Sequence, residues 1–182
     1  MITEIANLYK RYRTYLKPLV AEFESQNEVI MPTCLVDLSN MFDRIALCET
    51  AQEPNEQTVH LEKASAHLES AIKNTLDGVI AGHIQKINKF RQTYSQGVMN
   101  AIKEGDFIGH FTSLDQEAHE AMRNNRFLAY EKLDEMVDMI NDAHTSALTI
   151  SQTKDNKQIL VLKGIISILI SIIVTALIAY LW

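Results

Sequence analysis

Cysteine, proline and glycine are all scarce in this chain, and each scarcity removes a class of protein. Only Cys34 and Cys48 occur among 182 residues, without a CxxC spacing or a neighbouring pair of histidines. That excludes a disulfide scaffold and a cysteine-based zinc module, and leaves two reduced, buried cytosolic thiols as the expectation. Three prolines and six glycines impose few turns, and alternating β-branched runs are missing ahead of the C-terminal segment. Apolar residues recur at three and four instead, so the expected fold class is all-α, with no strand anywhere. Also missing are GxSxG, the phosphate-cradling GxxxxGKS/T, GxGxxG and HExxH. Without them no catalytic residue, metal site or cofactor is expected. Positive charge is short too: before Asn156 there are 15 basic against 23 acidic residues, a formal charge of −8. Direct nucleic-acid binding is not expected from that balance.

Against these absences stands one long apolar run, Gly164 to Trp182 (GIISILISIIVTALIAYLW), nineteen residues without a charge. As a helix it covers roughly 28 Å, or about 36 Å from Ile159 with Lys163 snorkelling, against a hydrocarbon core of about 30 Å. A single membrane crossing is expected, in the manner of a tail anchor. Lys154, Lys157 and Lys163 flank its N-terminal end, while Tyr180 and Trp182 suit the opposite interface. The positive-inside tendency then places the N-terminus in the cytoplasm. Two units are expected: a cytoplasmic antiparallel helical bundle over 1–155 and a transmembrane anchor over 156–182. Within the span Ser167, Ser171, Thr175 and Ala179 step by four along one stripe. Small residues at that spacing let helices approach closely, so the stripe is the expected oligomerisation or pore-lining surface.

Taken in order, the first helix is expected from Thr3 as N-cap, with Ile5, Leu8, Tyr12, Tyr15, Leu16, Leu19 and Phe23 on one face. Pro18 should kink or restart it. Met31-Pro32-Thr33 marks a turn into a second helix to about Ala51, burying Leu35, Leu38, Phe42, Ile45 and Leu47. After Glu53-Pro54-Asn55 a long helical pattern runs from about Glu56 to Lys103, spaced as Leu61, Ala64, Leu68, Ile72, Leu76, Val79, Ile84, Ile87, Phe90, Tyr94, Val98 and Ala101, with Gly78 and Gly82 four apart on one face. These glycines either bend the helix into two bundle members or admit a close neighbour. His60-Leu-Glu-Lys-Ala-Ser-Ala and His67-Leu-Glu-Ser-Ala-Ile-Lys echo one another as a packing seam. Glu104 to Thr112 is expected to be an irregular loop. Ser113 and Gln116 offer a capping box for a last helix to about Ser151, and 151–157 is either a hinge or a continuous join.

Charge and histidine placement offer few sites. Lys10, Arg11, Arg13 and Lys17 cluster among Tyr9, Tyr12 and Tyr15 as an interaction patch for anionic headgroups or nucleic acid, or else as a solvated face. Glu131, Asp134, Glu135, Asp138 and Asp142 load the last helix with like charge, which pairing with the first helix would relieve. His60 and His67 lie seven apart on one face, yet no third ligand accompanies them. His110, His119 and His144 stand equally alone.

The region Asp37-Leu-Ser-Asn-Met-Phe-Asp-Arg-Ile-Ala, with His67-Leu-Glu-Ser-Ala-Ile across the Pro54 break, resembles the central helices of HEPN-type bundles of bacterial defence and toxin systems. In that family an Arg-x4-6-His site cleaves RNA at a dimer interface. The matching places here are Ser39 or Asn40 and Arg44, and no arginine is followed by histidine at the required spacing. The resemblance therefore implies a bundle kept as a binding or assembly module. Met122, Ala129, Leu133, Met136, Ile140, Ala143, Ala147 and Ile150 form a seam with Arg126 in register, similar to the central Arg of one SNARE class. Upstream the zipper fails at His119 and Thr112, so the seam reads as bundle core or a subunit contact.

Anchor, stripe and missing chemistry together lead to one expectation. The chain is a non-enzymatic protein of the bacterial inner membrane that oligomerises and perturbs or perforates the bilayer in a defence or toxin system. Its expected partners are the lipid bilayer, further copies of itself, and a cytosolic protein or nucleic-acid-sensing complex. The alternatives are a membrane-tethered adaptor for a cytosolic partner and a nuclease with an unrecognised site.

Overall fold

A computed structural model describes residues 2–94 and 107–144, and every described element is helical. Helix α1 spans Ile2–Arg11 and α2 spans Lys17–Asn27, with a single π turn, Tyr12–Leu16, between them. Pro18 explains the π turn. Its missing N–H leaves the Thr14 carbonyl without its usual donor, and the Lys17 N–H reaches back to the Tyr12 carbonyl in the wider pattern. The chain thus stays helical through the proline, and Leu8, Leu16 and Leu19 are buried along it. Helix already covers Thr3, so that residue is not the expected cap. The end of α2 is a left-handed residue, Glu28 at φ 57°, whose N–H bonds the Glu24 carbonyl at 2.8 Å.

Helix α3, Pro32–Thr50, begins with its proline in the first turn, where no N–H is needed. Its buried face meets the expected one only in part: Ile45 is core and Leu38 packs against the core as expected, but Cys34, Met41 and Cys48 complete the core while Leu35, Phe42 and Leu47 are exposed. Apolar residues are spread around most of α3, so spacing alone admits two faces, and packing against the next helix selects one. That next helix, α4, runs unbroken over the 40 residues Pro54–Thr93, about 60 Å. Gln57 Nε2 donates to the Ala51 carbonyl at 2.9 Å and closes the tight α3–α4 hairpin.

The glycines of α4 admit a neighbour and do not bend the helix. A Cβ at Gly78 would lie 2.5 Å from Met31 Cε and 2.8 Å from Phe23 Cε2, and one at Gly82 would collide with Gln26 Oε1. Helix α2 therefore docks on α4 at this smooth strip. Along α4 the expected spacing holds at Ala64, Leu68, Ile72, Leu76, Val79, Ile87 and Phe90, all buried. It fails at Ile84, which is exposed, because His83 takes the inward position.

Helix α5, Phe107–Asn124, and α6, described over 126–144, complete the bundle. Phe107–Thr112 is helical, which corrects the expected loop for that portion: Phe107 and Phe111 pack on Phe90 of α4 with centroids 6.2 Å away. Ser113 lies inside α5 and its Oγ donates to Glu117, so it is no cap. The break falls at Asn125, whose Oδ1 accepts from the Leu128 N–H at 3.2 Å and caps α6. Ala129, Leu133, Met136, Ile140 and Ala143 are buried, making the described part of the Arg126 seam bundle core. No helix among the described residues is long and apolar enough to cross a membrane. The expected span over 164–182 with its stripe Ser167, Ser171, Thr175 and Ala179, the join at 151–157, and Ala147, Ile150, Val98 and Ala101 lie outside the described residues.

Candidate functional site

Where α2 crosses the glycine strip of α4 and α6 closes over both, four polar side chains converge. Glu22 comes from α2, His83 from α4, and Tyr130 and Asp134, one turn apart, from α6. The Tyr130 hydroxyl donates to Glu22 Oε2 at 2.8 Å, and Gln26 Nε2 donates to Glu22 Oε1 at 3.2 Å. His83 Nε2 lies 2.8 Å from Glu22 Oε1 and 3.8 Å from Asp134 Oδ1. The closer contact is short but badly directed, and neither ring nitrogen of His83 has a hydrogen-bond partner although the residue is only 1 % exposed. One ligand-type atom each from Glu22, His83 and Asp134 falls within 4.8 Å of the others.

Burial sets the protonation states. It pushes His83 below the ordinary histidine range, against the pull of the Glu22 and Asp134 carboxylates. It raises the Asp134 carboxyl, with help from the like charge of Glu22. Tyr130 is raised far above a free phenol, first by burial and then by its bond to Glu22, and so remains a donor. The site places a neutral imidazole between the Glu22 and Asp134 carboxyl groups, the first of which is oriented by a phenol. An uncharged imidazole can offer a lone pair to an electrophile or a cation.

Of the site residues expected from sequence, few meet. Arg11 donates to Ser65 and Glu69 of α4 at 3.0 and 3.1 Å, while Lys10, Arg13 and Lys17 are exposed and pair with no described residue. Within one chain, the expected pairing of these basic residues with the acids of the last helix does not occur among the described residues. The acids of α6 find other partners: Asp134 faces His83, and Glu135 lies 3.9 Å from Lys132 and 3.6 Å from His110. Arg126 pairs with Asp77 of α4 at 3.2 Å. His67 meets Asp37 at 3.5 Å, and Asp37 also accepts from Ser70 at 2.8 Å, a polar stitch between α3 and α4. His60 does not join it. Ser39 is exposed, and Asn40 and Arg44 are half-buried. Sequence reasoning passed over His83, Glu22 and Tyr130. The available signal was a histidine at position 83, four after Val79 and four before Ile87, on the apolar face of a long helix.

Comparison with known proteins gives no matching family model, curated protein or solved structure.

Proposed function

We propose that the chain is a membrane-tethered helical bundle whose copies assemble and act on the bilayer as a pore-forming or membrane-perturbing effector of a bacterial defence or toxin system. The observation that carries this is the nineteen-residue uncharged run with its stripe of Ser167, Ser171, Thr175 and Ala179. Hydroxyls along such a stripe bond across a helix contact for about 0.6 to 2 kcal/mol each. The bundle adds support of its own. Leu35, Val36 and Leu47 on α3 are 51, 60 and 45 % exposed, and Phe42, 43 % exposed, meets only Tyr9 of α1 through a tilted ring contact with centroids 6.3 Å apart, so α3 keeps an outward apolar face. Such a face suits burial against another chain.

That same face favours a second reading, an adaptor that holds a cytosolic protein at the membrane. One experiment separates them. Replacing Ser171 and Thr175 together by Leu keeps the span insertable and removes close helix approach. The effector reading expects loss of crosslinked oligomers and of membrane permeabilisation at unchanged membrane abundance. Intact assembly and intact depolarisation would overturn it, and permeabilisation absent from the wild type would leave the adaptor.

A further inference from the structure

We propose that Glu22, His83 and Asp134 bind a divalent first-row transition cation of the zinc class, which clamps α2 and α6 onto α4. The proposal is independent of the membrane reading, since all three ligands lie in the bundle. Zinc bonds to imidazole nitrogen and carboxylate oxygen are about 2.0 to 2.2 Å, which puts tetrahedral ligand atoms about 3.3 Å apart. The observed 2.8 and 3.8 Å from His83 Nε2 straddle that value, and side-chain rotations of about half an ångström would equalise them. A bound cation also explains the badly directed contact. An Nε2 that lacks a hydrogen-bond partner while lying 2.8 and 3.8 Å from two carboxylate oxygens has the arrangement of a ligand.

Charge and ligand type narrow the cation. Two carboxylates next to a buried imidazole, with Lys86 the nearby cation, leave negative charge that a divalent ion neutralises. One nitrogen among two oxygens disfavours magnesium, which demands six oxygens in near-octahedral array, and calcium, which takes six to eight. Imidazole plus carboxylate suits zinc, and manganese and iron more weakly. The Tyr130 hydroxyl and Gln26 amide hold Glu22 as outer partners usually hold a ligating carboxylate. Asp134, 44 % exposed, leaves a route in and room for a water as fourth ligand. The Nδ1 proton then has no acceptor among the described residues, a cost that the metal bond must outweigh. No metal site was expected from the sequence, because Glu22, His83 and Asp134 all lie far from one another along the chain, on three different helices.

The test uses the full chain, untagged, in detergent and stripped with chelator. Zinc should bind at one ion per chain and raise the thermal midpoint, and millimolar magnesium should not displace it. Cobalt should give visible ligand-field bands without thiolate charge transfer. Asp134→Asn, at the half-exposed ligand, should keep its helicity and bind at least tenfold more weakly, whereas Asp142→Asn should bind as wild type does. Tyr130→Phe should weaken binding less than Asp134→Asn. Equal affinity of wild type and Asp134→Asn would refute the site. So would a thiolate band from Cys34 or Cys48, displacement by magnesium, or no zinc bound at all.

Discussion

His83 brings an imidazole into the bundle where an apolar side chain would pack without penalty. A buried polar group left without a hydrogen bond costs about 1 to 3 kcal/mol, so its pH response should be visible. With metal removed, folded His83 stays neutral where the unfolded chain's histidine takes up a proton at about pH 6.5. The stability it supports is present above that value and falls as pH drops through it toward the lowered folded pKa. Asp134 works in the opposite sense, since its raised carboxyl gains stability as pH falls through its own folded value. Lowering pH from 7.5 to 5.5 in chelator should reduce the thermal midpoint, and His83→Gln should make that slope shallower. An unchanged slope would mean that other groups carry it. The two glycines of α4 should also differ. An alanine contributes about 1 kcal/mol of helix propensity over glycine, whereas overpacking costs about 1 to 3 kcal/mol. At Gly78 the new methyl meets both Met31 Cε and the Phe23 ring, so two side chains must shift and Gly78→Ala should lower the midpoint. At Gly82 it meets only the end of Gln26, and Gly82→Ala should be closer to neutral.

Among the elements, α4 organises the bundle and the break at Asn125 orients α6 upon it. Asn125 ends α5, with its N–H on the Ala121 carbonyl at 2.7 Å, and caps α6 through its side chain. Loss of such a cap costs about 1 kcal/mol. Asn125→Ala should therefore lower the thermal midpoint of the full chain by a few degrees, and Asn125→Asp should restore most of it. Because Tyr130 and Asp134 follow in the first turns of α6, the alanine variant should also weaken zinc binding. The π turn before Pro18 has a comparable role in α1 and α2. It keeps Leu16 and Leu19 facing α4 across a residue that cannot donate a backbone hydrogen bond.

For the whole molecule, topology and absence of nuclease chemistry are the testable consequences. A reporter fused to Met1 should be active in the cytosol, and a tag after Trp182 should be reached only from the far side of the membrane. Reversed accessibility would remove the basis of the membrane reading. Purified protein should not degrade RNA, with or without divalent metal. His60 and His67 converge on no nucleophile among the described residues. Replacing both by Ala should leave any cellular effect within a fewfold. RNA cleavage that depends on His67 would make the α3–α4 stitch a site.

Helicity, the hairpin breaks at Pro32 and Pro54, and most of the buried face of α4 follow from local rules, and the sequence by itself determined them. Scarce glycine and proline leave helix as the economical backbone, and a sustained three-and-four spacing from Leu61 to Phe90 marks an inward face on any helix. The sequence also settled the charge balance and the apolar run at 164–182. Tertiary structure alone decided which face of α3 is buried, because Leu35 and Phe42 compete with Cys34, Met41 and Ile45 within one apolar helix. It also decided that Gly78 and Gly82 seat α2, since a smooth strip bends or packs according to what lies against it. The convergence of Glu22, His83 and Asp134 is of the same kind. Helical periodicity orders side chains within one helix, whereas the register between α2, α4 and α6 is set by contacts such as Phe23 on Gly78 and Asn125 capping α6. Residues distant in sequence became neighbours through that packing.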